Sequence, residues 1–251
     1  MNKERLSDAQ WQRIEKYLGF PNRKRKRSLR EISDALFYLL KTGCQWRMLP
    51  ENYPKWELVY CYFSKWRDLE LLDELNTMLR GAERKKNGKN EQCSLVVIDS
   101  QSVRTTRVGG LRGVDGNRKI NGGKRHLVVD TRGNVVSNIV HPANIDDSKG
   151  AELTIRNLND NIHGVIVIYA DCGYRGQLME ILKDRYNYDL RISPKIKDGS
   201  QGRVSPKRWI VERTFSWFEN FRRLSKDFEY LLETSQAMIY LASIKLLLNK
   251  I

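Results

Sequence analysis

Two short apolar runs, LVVID at residues 95–99 and VIVIYAD at residues 165–171, each close on an aspartate. Both read as buried strands, and a carboxylate at the end of a buried strand is costly to desolvate. A third acid, Glu212, sits inside the apolar segment RWIVERTFSWF. Two strand-end aspartates and a helical glutamate together suggest a shared metal site, although either aspartate alone would serve equally well to cap the turn that follows it.

The rest of the chain is basic. Its 251 residues hold 45 Lys and Arg against 30 Asp and Glu, a formal charge of +15. Such an excess favours nucleic acid or an anionic surface as partner. No apolar stretch reaches bilayer-spanning length, and the start MNKERLSDAQ lacks the apolar core of a signal peptide, so DNA is the expected partner and the cytoplasm the expected location. Acid at a centre with base around it suits an enzyme that handles a polyanionic backbone through magnesium. Cys44, Cys61, Cys93 and Cys172 show no CxxC spacing, and His126, His141 and His163 are scattered, which argues against a zinc finger or a disulfide framework.

The first third reads as helices. Ser7 with Gln10 and Ser28 with Glu31 have the spacing of capping boxes, and the apolar residues behind them predict helices over 7–18 and 29–42, the second stopped by Gly43. Beyond Pro50 and Pro54, the segment at 56–79 carries an apolar stripe through Trp56, Tyr60, Phe63 and Trp66, with Lys65 and Arg67 on its other face. This periodicity fits a helix-turn-helix reader of DNA and a plain helical bundle alike. The tract Arg23, Lys24, Arg25, Lys26 and Arg27 favours the reader, because adjacent cations repel one another unless phosphate neutralises them. The domain division expected is a helical DNA-binding region at 1–80, a charged linker at 81–92 and a catalytic domain at 93–251.

In the last of these, strands are expected at 95–99, 126–130, 134–140, 165–170 and 188–192. Helices are expected after Asp147 or Ser148, over 177–184, and from about 206 to 224. Three strands, then helix, strand, helix, strand, helix is the order of a ribonuclease H-like domain. The fold class is therefore α/β: a mixed five-stranded sheet flanked by helices and preceded by a small all-helical domain. In that order the first and fourth strands are neighbours, which brings Asp99 beside Asp171, and a later helix delivers Glu212. The loop at 104–125, with Arg104, Arg107, Lys124 and Arg125 among six glycines, has little to bury and is expected to be mobile and to meet the DNA backbone. Trp209, Trp217 and Phe218 read as core.

The segments KTGCQWRMLPENYPKWELVYCYFSKW, VVIDSQSVRTT with ADCGYRG, and RWIVERTFSWFENFRRLSKDFEY together resemble the insertion-sequence-five type of bacterial DDE transposase, over about residues 6–245. The resemblance implies that Asp99, Asp171 and Glu212 are the metal-binding catalytic triad, holding two Mg²⁺ ions for which Mn²⁺ can substitute. It also implies end-binding helices and no small-molecule cofactor. Around the glutamate the family places a tyrosine, an arginine and a basic residue at fixed spacing. Arg208 matches the arginine, whereas Ser205 and Glu219 stand at the other two positions; Arg222, Arg223 and Lys226 lie further on and could bind phosphate instead. Glu219 is seven residues from Glu212, roughly 10 Å along a helix, so only one of the two can join the aspartates. The apolar neighbours of Glu212 favour it. The function expected is binding of terminal inverted repeats, hydrolysis at each end and strand transfer to target DNA by a homodimer. A ribonuclease H-like nuclease without strand transfer and a non-catalytic DNA-binding relic are the alternatives.

Overall fold

The computed structural model describes residues 5–19, 26–107, 110–193 and 207–251. Both capping boxes form: the Ser7 and Ser28 side chains accept from the N–H groups of Gln10 and Glu31, opening α1 (Asp8–Leu18) and α2 (Leu29–Thr42). Gly43 ends α2 in the left-handed conformation at φ 68°, its N–H donating to Leu39. The apolar stretch that follows is two helices, α3 (Trp56–Asp68) and α4 (Leu71–Lys86). They are broken at Glu70, a non-glycine residue at φ 55°. That conformation costs about 1–2 kcal/mol, and burial of Leu72, Leu75 and Leu79 on the far side of the break offsets it.

The expected linker at 81–92 is helical through Lys86. Two of its charges are buried and paired: Arg84 meets Asp130 at 3.0 Å, and Glu83 meets Arg132 at 2.7 Å and accepts from Asn134, whereas Lys85, Lys86, Lys89 and Glu91 are exposed. These bonds clamp α4 to the tight turn at 130–134.

The sheet contains β1 (Leu95–Arg104), β2 (Gly113–Asp115), β3 (Ile120–Asp130), β4 (Val135–Pro142), β5 (Val167–Ala170) and β6 (Asp189–Ile192). Its order is β4-β3-β1-β5-β6, with β2 on the opening residues of β3; β3 is antiparallel to β1 and β4, and β1, β5 and β6 are parallel. This is the ribonuclease H-like arrangement. β1 runs five residues past Asp99, and the loop expected at 104–125 contains β2 and the start of β3.

Alternation along β1 sorts the core. Val96 and Ile98 face α5 (Asp147–Asn161) and α6 (Gln177–Tyr186), whereas Val97 faces α7 (Arg208–Glu219), α8 (Leu232–Leu248) and the N-terminal helices. α8 had no counterpart among the sequence expectations. It is apolar on every side, with Met238, Leu241, Ala242 and Ile244 all buried, and it packs against α2, α3, α4 and β4. One continuous core therefore joins α1–α4 to one face of the sheet. Among the described residues, no helix is long and apolar enough to cross a membrane.

Candidate active site

The parallel register pairs Val96 with Ile168 and Val97 with Tyr169. Carried two residues further, it sets Asp99 level with Asp171, on the same face as Val97. Asp171 lies just past β5, where its Oδ1 accepts from Gly173 N at 2.8 Å and caps a single 3₁₀ turn. Asp99 Oδ1 likewise accepts from Ser100 N at 2.8 Å. Each aspartate thus spends one oxygen on a neighbouring N–H, which orients the carboxyl group, and presents the other to the interior of the site.

What receives those free oxygens is Arg208, at the first turn of α7. Its guanidinium lies 3.6 Å from Asp99 Oδ2, 3.8 Å from Asp171 Oδ2 and 3.2 Å from Glu212 Oε1. α7 is held across β1 and β3 by Ile210, Val211, Phe215 and Phe218, which turn Arg208 and Glu212 towards the aspartates one helical turn apart. The three acids that sequence reasoning selected thus converge on one cation. None of these contacts is a close hydrogen bond, and Arg208 Nε has no hydrogen-bond partner.

Asp99 is 5% exposed, and burial pushes its carboxyl up to about 6; the Ser100 N–H and Arg208 oppose the shift, and Asp171 adds to it. Burial would lower Arg208, but its three acidic neighbours outweigh burial and hold it above its ordinary value. Among the described residues, no three His, Cys, Asp or Glu side chains stand in metal-holding geometry. The donor set nonetheless fits a hard divalent cation in kind: carboxylate oxygens only, oriented by backbone N–H groups and gathered around a positive charge.

On the reverse face of β1 lies a polar group that sequence reasoning missed. Lys124 Nζ sits 3.0 Å from Asp147 and 3.7 Å from Asp115, and donates to Ile145 O. Ser100 and Ser102 donate to Asp147 and Asp115. The His126 and His141 rings lie 4.9 Å apart beside them, and burial, with His141 next in weight, pushes His126 down to about 3. Asp147 or Ser148 was expected as the helix cap; the N-cap is Asp146, and Asp147 turns to Lys124 instead. The signal was legible as alternation: Ser100, Ser102, Lys124 and His126 interrupt apolar strands at same-face positions.

The cations expected to bind DNA divide. Arg23, Lys24, Arg25 and the position Ser205 lie outside the described residues. Lys26, Arg104, Arg107 and Arg222 are exposed, as is Arg27, which pairs with Glu31. Lys65 lies over Tyr62, and Arg67 is tied to Asp68 and Thr234. Three expectations are corrected by burial. Lys124 is held in the cluster above, Arg125 donates to Leu224 O, and Arg223 pairs with Glu229 and Cys44 O; as placed, none of the three reaches solvent. α7 stops at Glu219 instead of running to 224, leaving Glu219 exposed at its end. Trp209, expected in the core, is 45% exposed and stacks against Arg213, which also faces Trp217.

Sheet and flanking helices together define an α/β scaffold of the ribonuclease H kind. Residues 91–247 match the family described as "Transposase DDE domain", and residues 6–76 match "Putative transposase of IS4/5 family". The chain belongs to the DDE transposase family, in its IS4/5 branch. A protein of Burkholderia cepacia described as "Putative transposase for insertion sequence element IS402" is 33% identical over 116 residues, which are 43% of this chain and 54% of that protein. "Uncharacterized protein y4sN" of Sinorhizobium fredii (strain NBRC 101917 / NGR234) is 29% identical over 122 residues, 47% of this chain and 91% of that one. The match thus spans about half the length of the Burkholderia relative. Among solved structures, the catalytic domain of Mos1 mariner transposase aligns at 10% identity with a TM-score of 0.30, over 71% of this chain and 89% of that one. The Mos1 strand transfer complex aligns at 11% with a TM-score of 0.35, over 92% and 78%. Likenesses this distant add nothing to the topology described above.

Proposed function

We propose that the chain is a DNA transposase that binds the terminal inverted repeats of an insertion sequence, hydrolyses the phosphodiester at each end and directs the freed 3′ hydroxyl onto target DNA. The observation that supports this reading is the convergence of Asp99, Asp171 and Glu212 on the single guanidinium of Arg208.

In this reading Asp99, Asp171 and Glu212 hold divalent cations, Mg²⁺ with Mn²⁺ as substitute. When bound, two such ions activate the attacking hydroxyl and stabilise the leaving oxygen. The chain's own residues set the terms. Ser100 N and Gly173 N fix the two aspartates so that one oxygen of each faces inward. Burial keeps Asp99 reluctant to ionise, its carboxyl pushed up to about 6. Arg208 balances part of that charge. The exposed Lys26, Arg27, Arg104, Arg107 and Arg222 are left to neutralise phosphate. Joining two ends requires two protomers, so a homodimer on DNA is part of the proposal.

A strand-transfer assay on oligonucleotides carrying the element's ends, with Mg²⁺ or Mn²⁺, tests it. Joined products with the wild type, and end binding without cleavage in Asp99→Ala, are expected. Cleavage with no joined product would reduce the activity to that of a nuclease, and an Asp99→Ala variant unchanged in every DNA-dependent assay would leave only a DNA-binding regulator.

A further inference from the structure

A second recess is lined by none of the three acids of the candidate site. It opens between α3 and the segment that links α7 to α8, a cavity of about 440 Å³ lined by Trp46, Trp56, Tyr60, Phe228, Tyr230 and Arg47. Its walls are apolar yet open to water: Tyr230 is 71% and Tyr60 37% exposed, and Phe228 and Leu231 are also exposed. Aromatic rings left in solvent at this density mark a binding surface.

The charge around the rings selects the occupant. Arg47 is exposed, with its guanidinium 5.4 Å from the Trp56 ring, and Arg223 lies 5.8 Å from Trp46 and 5.6 Å from Phe228. Glu229, an acid in the lining, is neutralised by Arg223 at 2.7 Å. Gly110 lies against the rim, so near the Tyr230 carbonyl that a Cβ there would stand 1.7 Å from its oxygen. Flat rings for stacking, backed by guanidinium groups and bordered by the exposed Arg47, match a base with its phosphate. A second copy of the chain, itself at a formal charge of +15, is the less complementary occupant. β1 connects this recess to the acids, since its Arg104 carbonyl accepts from Asp227 N, just before Phe228. From Asp99 to Arg104 is about 17 Å at the usual strand rise.

We infer that this recess is a stacking site for an unpaired nucleobase, and that it holds single-stranded DNA leading away from the acidic centre. The choice of DNA as occupant rests on the transposase reading; the recess itself does not.

The test compares the affinity of the full chain for a short oligothymidylate, the same strand with abasic positions, and a duplex. Tyr60→Ala and Tyr230→Ala remove exposed rings and leave the core intact. Each is expected to weaken oligothymidylate binding about 5- to 150-fold with duplex binding unchanged, and Tyr60→Phe is expected to restore it. The wild type should bind the abasic strand with the weakened affinity. Equal binding of oligothymidylate and abasic strand overturns the inference, as does an equal loss on single strand and duplex. If the same substitutions dissociate an oligomer in sedimentation and leave single-strand affinity untouched, the surface belongs to a second copy. Duplex end binding by the wild type, measured alongside, keeps failure of this site distinct from failure of the transposase reading.

Discussion

The two faces of β1 carry acidic clusters back to back, and they differ in how the charge is met. Towards α5, Asp115 and Asp147 share Lys124, each also accepts from a serine hydroxyl, and burial lowers both histidines beside them, His126 to about 3. Burial alone would raise both acids, but Lys124 and the serines overcome it and leave both below the usual carboxylate range. Towards α7, three carboxylates share one guanidinium at 3.2–3.8 Å, and Asp99 is pushed up to about 6. An acid cluster whose charges close internally holds the fold together. One whose free oxygens all face a single loosely placed cation has room for a charge from outside.

The sharpest break between the faces is expected in activity. Asp99→Ala should lower end cleavage by more than ~100-fold in the oligonucleotide assay, since loss of a direct ligand exceeds loss of its supports, while end binding persists. Next comes Lys124→Ala, which leaves the buried Asp115 and the half-buried Asp147 without their cation. Urea denaturation should show about 3 kcal/mol of lost stability, and a loss within error would mean that the α5 face is not closed as described.

Asp99→Asn reverses the sign. The native carboxyl titrates at about 6 against 3.8 in an ordinary setting, so the cost of burying its charge is absent below pH 3.8, grows through pH 6 and is complete above. The metal-free variant should therefore be about 2–3 kcal/mol more stable than the wild type at pH 8 and no different near pH 3, as read by thermal melts across pH. Smaller again, Arg208→Ala should tighten Mn²⁺ binding roughly fivefold by electron paramagnetic resonance of the free ion, because a competing half-exposed cation is gone. Glu219→Gln should change cleavage by no more than about twofold; a collapse equal to that of Glu212→Gln would show that the wrong glutamate was chosen.

Much of this was readable from the chain because it rests on local chemistry. Ser7, Ser28 and Gly43 announce the ends of α1 and α2, and the apolar runs at 95–99 and 165–170 announce β1 and β5 with their aspartates in phase. The failures also have physical causes. α8 escaped notice because a helix apolar all round has no period to detect. The α3–α4 break uses neither glycine nor proline, only a left-handed Glu70. Charges at 83 and 84 resemble a solvated linker until Arg132 and Asp130 are folded against them. Lys124 and Arg125 were counted alike as DNA contacts, yet neighbours on a strand project to opposite faces, and each of these found an internal partner.

In the proposed reading, the burial of α8 against both the N-terminal helices and β4 would make the chain a ruler. A DNA end gripped by those helices would meet the carboxylates at a distance set by that shared core, which leaves little slack for an added or missing base pair. Spacer length between the gripped sequence and the cut would then be as strict a requirement as the sequence itself.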